Sequence, residues 1–219
     1  MLTSALNSEA KKTIGGALLR LFLQLNPSVI SVGNDTLLLG KANWKGAKFM
    51  EAIENLLTRR SCRNYTEEQV PDELLDKVLE AGTFAASGMN RQNTFLVAVR
   101  DKETRDLLSK INAGIMDREG DPFYGAPCVV VVLAAPDMTY LEDGSLVLGN
   151  LMNAAHALGL GSCWIHRAKQ TFELPEGKEL LKKWGLPEDL IGIGNCILGF
   201  EAEVPAEKPR KEGRIIKID

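Results

Sequence analysis

Three guanidinium groups and a hydroxyl crowd into Arg59-Arg60-Ser61-Cys62-Arg63, immediately after a short stretch with helical apolar spacing. Arginine stays charged at any working pH, and its planar fork matches the oxygens of a phosphate bidentately. Such a cluster either faces water and pairs with carboxylates such as Glu67 and Glu68, or it clamps an anion. A second basic run, Lys208-Pro209-Arg210-Lys211, lies far away near the C-terminus, and the two could converge on one anion. The best candidate for that anion is a phosphate.

Two further segments could touch a ligand. Ala85-Ala86-Ser87-Gly88-Met89-Asn90-Arg91-Gln92 is a polar loop of small residues that could let a flat ligand approach backbone amides, or simply join a helix to a strand. In extended backbone Asn90 and Gln92 would point the same way and present two amides to one heterocycle edge. Leu158-Gly159-Leu160-Gly161-Ser162 lacks the strand-GxGxxG-helix context of a dinucleotide site. It closes a helix and delivers Cys163-Trp164-Ile165-His166. His166 could serve as proton donor, ring-stacking group or plain strand end, while His156 falls on a helix surface or core edge.

No Ser-His-Asp order, paired carboxylate, P-loop or metal-ligand spacing stands out, so hydrolase and kinase chemistry has no named residues to carry it. Phosphate clamps and amide-rich loops without acid-base machinery fit a protein whose cofactor does the chemistry. Cys62, Cys128, Cys163 and Cys196 are too widely spaced for a Cys-x-x-Cys pair and read as reduced core residues. Cys62 alone, beside arginines expected to lower its pKa, has a claim to reactivity, set against simple packing.

The elements that must position these groups follow from periodicity. Ile53, Leu56 and Leu57 space a first helix, and Pro71 opens a second carrying Leu74, Leu75, Val78 and Leu79 and ended by Gly82. Strands are predicted over 94–99, 128–135, 162–166 and 191–200, with a terminal strand over 214–218. Helices are predicted over 102–112, 143–158 and 178–184. The interleaving implies a sheet covered by helices on its faces. Residues 1–49 lack this grammar, mix a helical pattern (Leu18 to Leu25) with scattered glycines, and are read as an N-terminal extension; Met50 is a candidate natural start of the 50–219 domain. A net charge of -3 and a pI near 5.6 argue against a general nucleic-acid binder. No apolar run suits a membrane span, and the chain is expected to be cytoplasmic.

The combination resembles the FMN-dependent nitroreductase family over about residues 50–219. Arg59-Arg60-Ser61-x-Arg63 looks like the family's opening phosphate-binding segment, with Tyr65 at its usual aromatic position. Ala86 to Gln92 resembles the Pro-Ser-x-x-Asn-x-Gln loop. Ala126-Pro127 and Ala157 to Ser162 match two further hallmarks, and Lys208 and Arg210 match a late basic pair. The resemblance implies an α+β fold, a three-layer α/β/α sandwich with a mostly antiparallel central sheet, assembled as a homodimer.

It further implies FMN as cofactor and NADH or NADPH as electron donor. A nitroaromatic, quinone or similar small acceptor would be reduced by a ping-pong sequence at flavin N5, with no catalytic side chain and no metal. Arg59, Arg60, Ser61, Arg63, Lys208 and Arg210 would hold the phosphate. Ala86, Ser87, Gly88, Asn90 and Gln92 would reach the isoalloxazine, partly across the dimer interface, and the backbone around Ile165, His166 and Arg167 would lie near N5. The same scaffold also suits reductive dehalogenation, flavin breakdown or non-catalytic flavin carriage. The chain departs from the pattern at Ala86 and Asn93, where the family often has proline, and in its N-terminal extension. Short connections over 117–124 and after Gln170 suggest a compact member.

Overall fold

The computed structural model of the chain describes residues 51–219, together with the backbone of an upstream antiparallel hairpin, β1 (Ile30–Val32) and β2 (Asp35–Leu37). The chain divides into two units, Met1–Ala47 and Lys48–Asp219. The helical pattern expected over Leu18 to Leu25 and the proposed start at Met50 lie outside the described residues.

The second unit is organised around β4 (Cys128–Ala134), an unbroken apolar run buried along its whole length. Successive side chains of a strand point to opposite faces, so a strand apolar at every position asks for a core on both sides. Here Val130, Val132 and Ala134 join one core, while Val129, Val131 and Leu133 join another. β4 is flanked by β3 (Thr94–Val99) and β6 (Ile191–Gly199), and β5 (Gly161–Ile165) closes the order β3-β4-β6-β5, antiparallel throughout. Helices α2 (Asp72–Thr83) and α4 (Tyr140–Ala157) cover the first face through Leu74, Leu75, Val78, Leu148 and Leu151. The second face takes α3 (Lys102–Ile115), α5 (Ala168–Glu173) and α6 (Pro175–Lys183) through Leu108, Phe172, Leu180 and Leu181. The result is an α+β sandwich of three layers.

Between β4 and β6 the register slips, Val132 opposing Gly194 and Leu133 opposing Gly192, which leaves Ile193 as a bulged extra residue. Both flanking glycines are forced by close approach: a Cβ on Gly192 would lie 2.2 Å from the Ala168 carbonyl oxygen, and one on Gly194 2.5 Å from Trp164 Nε1.

One expected element is absent and one unexpected element is present. Residues 214–218 form no strand: Ile215, Ile216 and Ile218 are 81–89% exposed, and no neighbouring strand offers them a ladder among the described residues. Helix α5 was not anticipated, because six residues give too little periodicity to read. In α1 (Ala52–Thr58) the helical spacing of Ile53, Leu56 and Leu57 holds, with these three side chains exposed and Asn55 buried. Asn55 Nδ2 donates to the Asn153 carbonyl at 3.0 Å and ties α1 to α4. No helix among the described residues is long and apolar enough to cross a membrane.

Candidate functional site

The arginine segment is strapped to the sheet at its β5 edge. After α1, Ser61 forms a parallel bridge with Ser162, and the Cys62 amide donates to the Ser162 carbonyl at 2.9 Å. Tyr65 then pairs with Glu201, with Thr66 N to Phe200 O and Ala202 N to Asn64 O both at 3.0 Å. These bonds hold the cluster beside the chain that leaves β6, which carries Lys208 and Arg210. Arg59, Arg60, Ser61, Arg63, Lys208 and Arg210 accordingly line a single cavity of about 300 Å³, bringing together basic groups from the two separated runs.

Arg60 is oriented by its own backbone: Nη1 donates to the carbonyls of Leu57 (2.7 Å) and Arg59 (3.0 Å), and Nη2 lies 3.0 Å from Glu207 Oε1. Arg60 Nε and Arg59 Nη1 are buried and, among the described residues, have no hydrogen-bond partner. Cationic donors left this way are costly, and an anion in the cavity would satisfy them. Glu67 and Glu68 take no part: among the described residues Glu207 is the carboxylate that pairs with this cluster. His156 Nε2 sits 3.0 Å from Thr58 Oγ1 at the core edge, where burial and the charges of Arg59 and Arg60 hold its imidazole below the usual value.

Cys62 does not become a reactive thiolate. It is fully buried, its Sγ donates to the Asn64 carbonyl, and burial raises its pKa, so desolvation overrides the lowering expected from neighbouring arginines. All four cysteines are unpaired and buried, with burial pushing Cys128 up to about 12. Native protein treated with Ellman's reagent is therefore expected to release almost no thionitrobenzoate until denaturant is added. Rapid release of one equivalent under native conditions would contradict this burial.

The Ala85 to Gln92 loop is not extended. Gly88–Asn90 forms a 3-10 turn, and Met89, Asn90 and Gln92 all have left-handed φ of 52–54°. The two amides still meet, since Gln92 Nε2 donates to Asn90 Oδ1 at 3.0 Å, while Ser87 Oγ accepts from the Gln92 amide at 3.1 Å. Three left-handed non-glycine residues in so short a stretch store about 1–3 kcal/mol each, and persist only when the surroundings insist. Asp143 of α4, buried and unforeseen from sequence, supplies part of that insistence by accepting from the Gly88 amide at 2.9 Å. Asp137 supplies more, pairing with Arg91 and accepting from Asn93 Nδ2 at 3.5 Å. Asn93 thus helps fix the loop by a side-chain bond instead of a ring. Ala86, Ser87 and Gln92 line a second cavity of about 160 Å³ that shares no residue with the basic one.

Ile165, His166 and Arg167 line neither cavity. Ile165 ends β5, whose rise of about 3.3 Å per residue places it roughly 10 Å along the same edge from Ser162, and His166 and Arg167 follow directly. The His166 carbonyl accepts from Asn112 Nδ2 at 2.7 Å, and the Arg167 carbonyl accepts from both Thr171 N and Oγ1 at 3.0 Å. Arg167 is left-handed at φ 78°, which turns the chain into α5. The exposed His166 ring tilts against Trp164 with centroids 5.4 Å apart. Asn112, another buried residue that sequence reading left unassigned, reaches this end of β5 from α3.

Residues 56–199 match the sequence model of the nitroreductase family. The chain is 28% identical over 178 residues to an FMN reductase [NAD(P)H] of Bacillus subtilis, covering 73% of this chain and 70% of the relative. Its fold superposes with a TM-score of 0.72 on a nitroreductase with bound FMN from Bacteroides fragilis, at 28% identity, over 78% of this chain and all of the other. A nitroreductase with bound FMN from Desulfitobacterium hafniense gives 0.71 at 26% identity, again over 78% of this chain and all of the other.

Proposed function

The chain belongs to the nitroreductase family, and on that footing we propose that it is an FMN-dependent NAD(P)H oxidoreductase whose basic cavity holds the FMN phosphate. The observation that carries this reading is the convergence of Arg59, Arg60, Ser61 and Arg63 with Lys208 and Arg210 around one space of about 300 Å³, with two buried guanidinium nitrogens that have no partner among the described residues. A phosphate monoester supplies the charge and the acceptor oxygens those donors require. When bound, FMN supplies the redox chemistry, taking electrons from NADH or NADPH and passing them to a nitroaromatic, quinone or similar small acceptor in ping-pong order.

The chain's own part is binding and orientation. The β5 edge runs from the clamp at Ser162 to Ile165, His166 and Arg167, and a linear sugar-phosphate tail lying along that edge would bring the flavin ring to the backbone held by Asn112. Ala86, Ser87, Gly88, Asn90 and Gln92 belong to one polar loop whose Ala86, Ser87 and Gln92 line a separate cavity, which suits contact with a flavin held by a second copy. The outward apolar side of α1 (Ile53, Leu56, Leu57) and the exposed Ile215, Ile216 and Ile218 support a homodimer. Four unpaired thiols suit a reducing compartment such as the cytoplasm.

Purified protein is expected to be yellow, to release FMN on heating, and to run as a dimer by light scattering with flavin bound. Anaerobic NADH or NADPH should bleach the flavin, and a quinone or nitroaromatic should restore its colour. Bound flavin that neither nucleotide bleaches would mark a carrier and overturn the enzymatic reading. Flavin bound to a monomer would overturn the dimer.

A further inference from the structure

Arg63 differs from its neighbours in the clamp. It is exposed and, among the described residues, makes no hydrogen bond or ion pair; its Cζ instead lies 5.8 Å from the centroid of the Tyr124 ring. That distance is within the reach of a cation–π contact. An exposed arginine otherwise samples many rotamers and must surrender that freedom when it grips an anion.

Tyr124 is itself held in an unusual way. Its φ is 54°, a left-handed conformation that a bulky side chain adopts only under compulsion. The compulsion comes from Asp121, whose carboxylate accepts from the amides on both sides of the tyrosine, Phe123 N at 2.9 Å and Gly125 N at 2.7 Å. Asp121 is anchored in turn to α3 by Arg105 Nη2 at 2.5 Å and by Ser109 Oγ. The Tyr124 hydroxyl has no hydrogen-bond partner among the described residues, so the ring is what the loop presents. A strained, doubly pinned backbone that delivers one aromatic face to one clamp arginine is the kind of outlier that motivates a functional reading.

We propose that Tyr124 is a positioning residue of the phosphate clamp: it acts through Arg63, restricting the guanidinium to orientations that meet the anion. This rests on the assignment of the basic cavity to the FMN phosphate. The role belongs to the ring face and not to the hydroxyl, so phenylalanine should replace tyrosine and leucine should not.

The test is FMN titration of flavin-stripped full-length protein, read by quenching of flavin fluorescence. Tyr124→Leu should bind FMN roughly two- to five-fold more weakly, the span of an exposed cation–π contact, and Tyr124→Phe should match the wild type. In an Arg63→Ala background, Tyr124→Leu should add no further loss. Leucine at wild-type affinity, or an equal loss in both backgrounds, would overturn the positioning role and leave the clamp standing. Wild-type protein that bound no FMN would overturn both assignments.

Discussion

Replacing Arg59 and Arg63 together by alanine is expected to strip the flavin from the protein while leaving the fold in place. Among the described residues Arg59 Nη1 is buried without a partner and Arg63 rests against Tyr124 alone, so neither side chain carries a bond that those residues need for folding. Arg60 is the wrong choice for this test, because its Nη1 fixes the carbonyls of Leu57 and Arg59 and its loss would disturb the end of α1. A hydrogen bond to a charged group contributes about 1.5–3 kcal/mol, so losing two such donors should weaken FMN binding by roughly 10²- to 10⁴-fold. Thermal stability without flavin should be little changed, since a buried guanidinium nitrogen with no partner among the described residues and like-charge repulsion both disappear. Absorbance after size exclusion reads the first effect, and a melt of the apo-protein reads the second. A double variant that left the column fully yellow would remove the phosphate from this cavity.

The same residues show what a sequence discloses. Basic clusters such as Arg59 to Arg63 and Lys208 to Arg210 are visible because charge density is a local property, and the apolar run at Cys128 is visible because a strand buried on both faces has no polar positions. What stayed hidden lies in pairings across long separations. The Gly88 amide meets Asp143 across 55 residues, and Asn112 meets the His166 carbonyl across 54, beyond any window in which spacing could reveal them. The extended reading of Asn90 and Gln92 failed for the same reason: Asp143 of α4 and Asp137 of the connection before it hold the loop in a left-handed turn. For Cys62 the packing reading holds, and only the expected lowering of its pKa had the wrong sign, because adjacent arginines are legible in sequence and full burial is not. The terminal strand expected over 214–218 rested on a local residue pattern, which says nothing about whether a neighbouring strand is present.

Arg105 should be the most sensitive position for stability outside the apolar cores. Its side chain is only 10% exposed, and it binds the Ala126 carbonyl through Nε at 3.0 Å, Asp106 through Nη1 at 3.0 Å and Asp121 through Nη2 at 2.5 Å. Phe123 packs against its guanidinium with the ring centroid 5.5 Å from Cζ. Removing one member of a buried pair costs about 3–5 kcal/mol. Both carboxylates here are partly exposed, and Asp121 keeps its bonds from Ser109, Phe123 and Gly125, so Arg105→Ala should cost somewhat less, about 2–4 kcal/mol, or roughly 5–15 °C in Tm for a chain of this size. The pH dependence has a definite sign. Burial alone would raise the Asp121 pKa, but hydrogen bonds from Arg105, Ser109, Gly125 and Phe123 outweigh it and hold the carboxyl below its usual value. A depressed carboxyl stabilises the fold above its unfolded pKa, and that contribution fades as pH falls through the folded one. The gap in Tm between wild type and Arg105→Ala should therefore be full at neutral pH and narrow below about pH 4, the ordinary carboxylate range. A gap that stayed constant down to pH 3, or one under about 2 °C at pH 7, would show that this network does not hold the Tyr124 loop to α3.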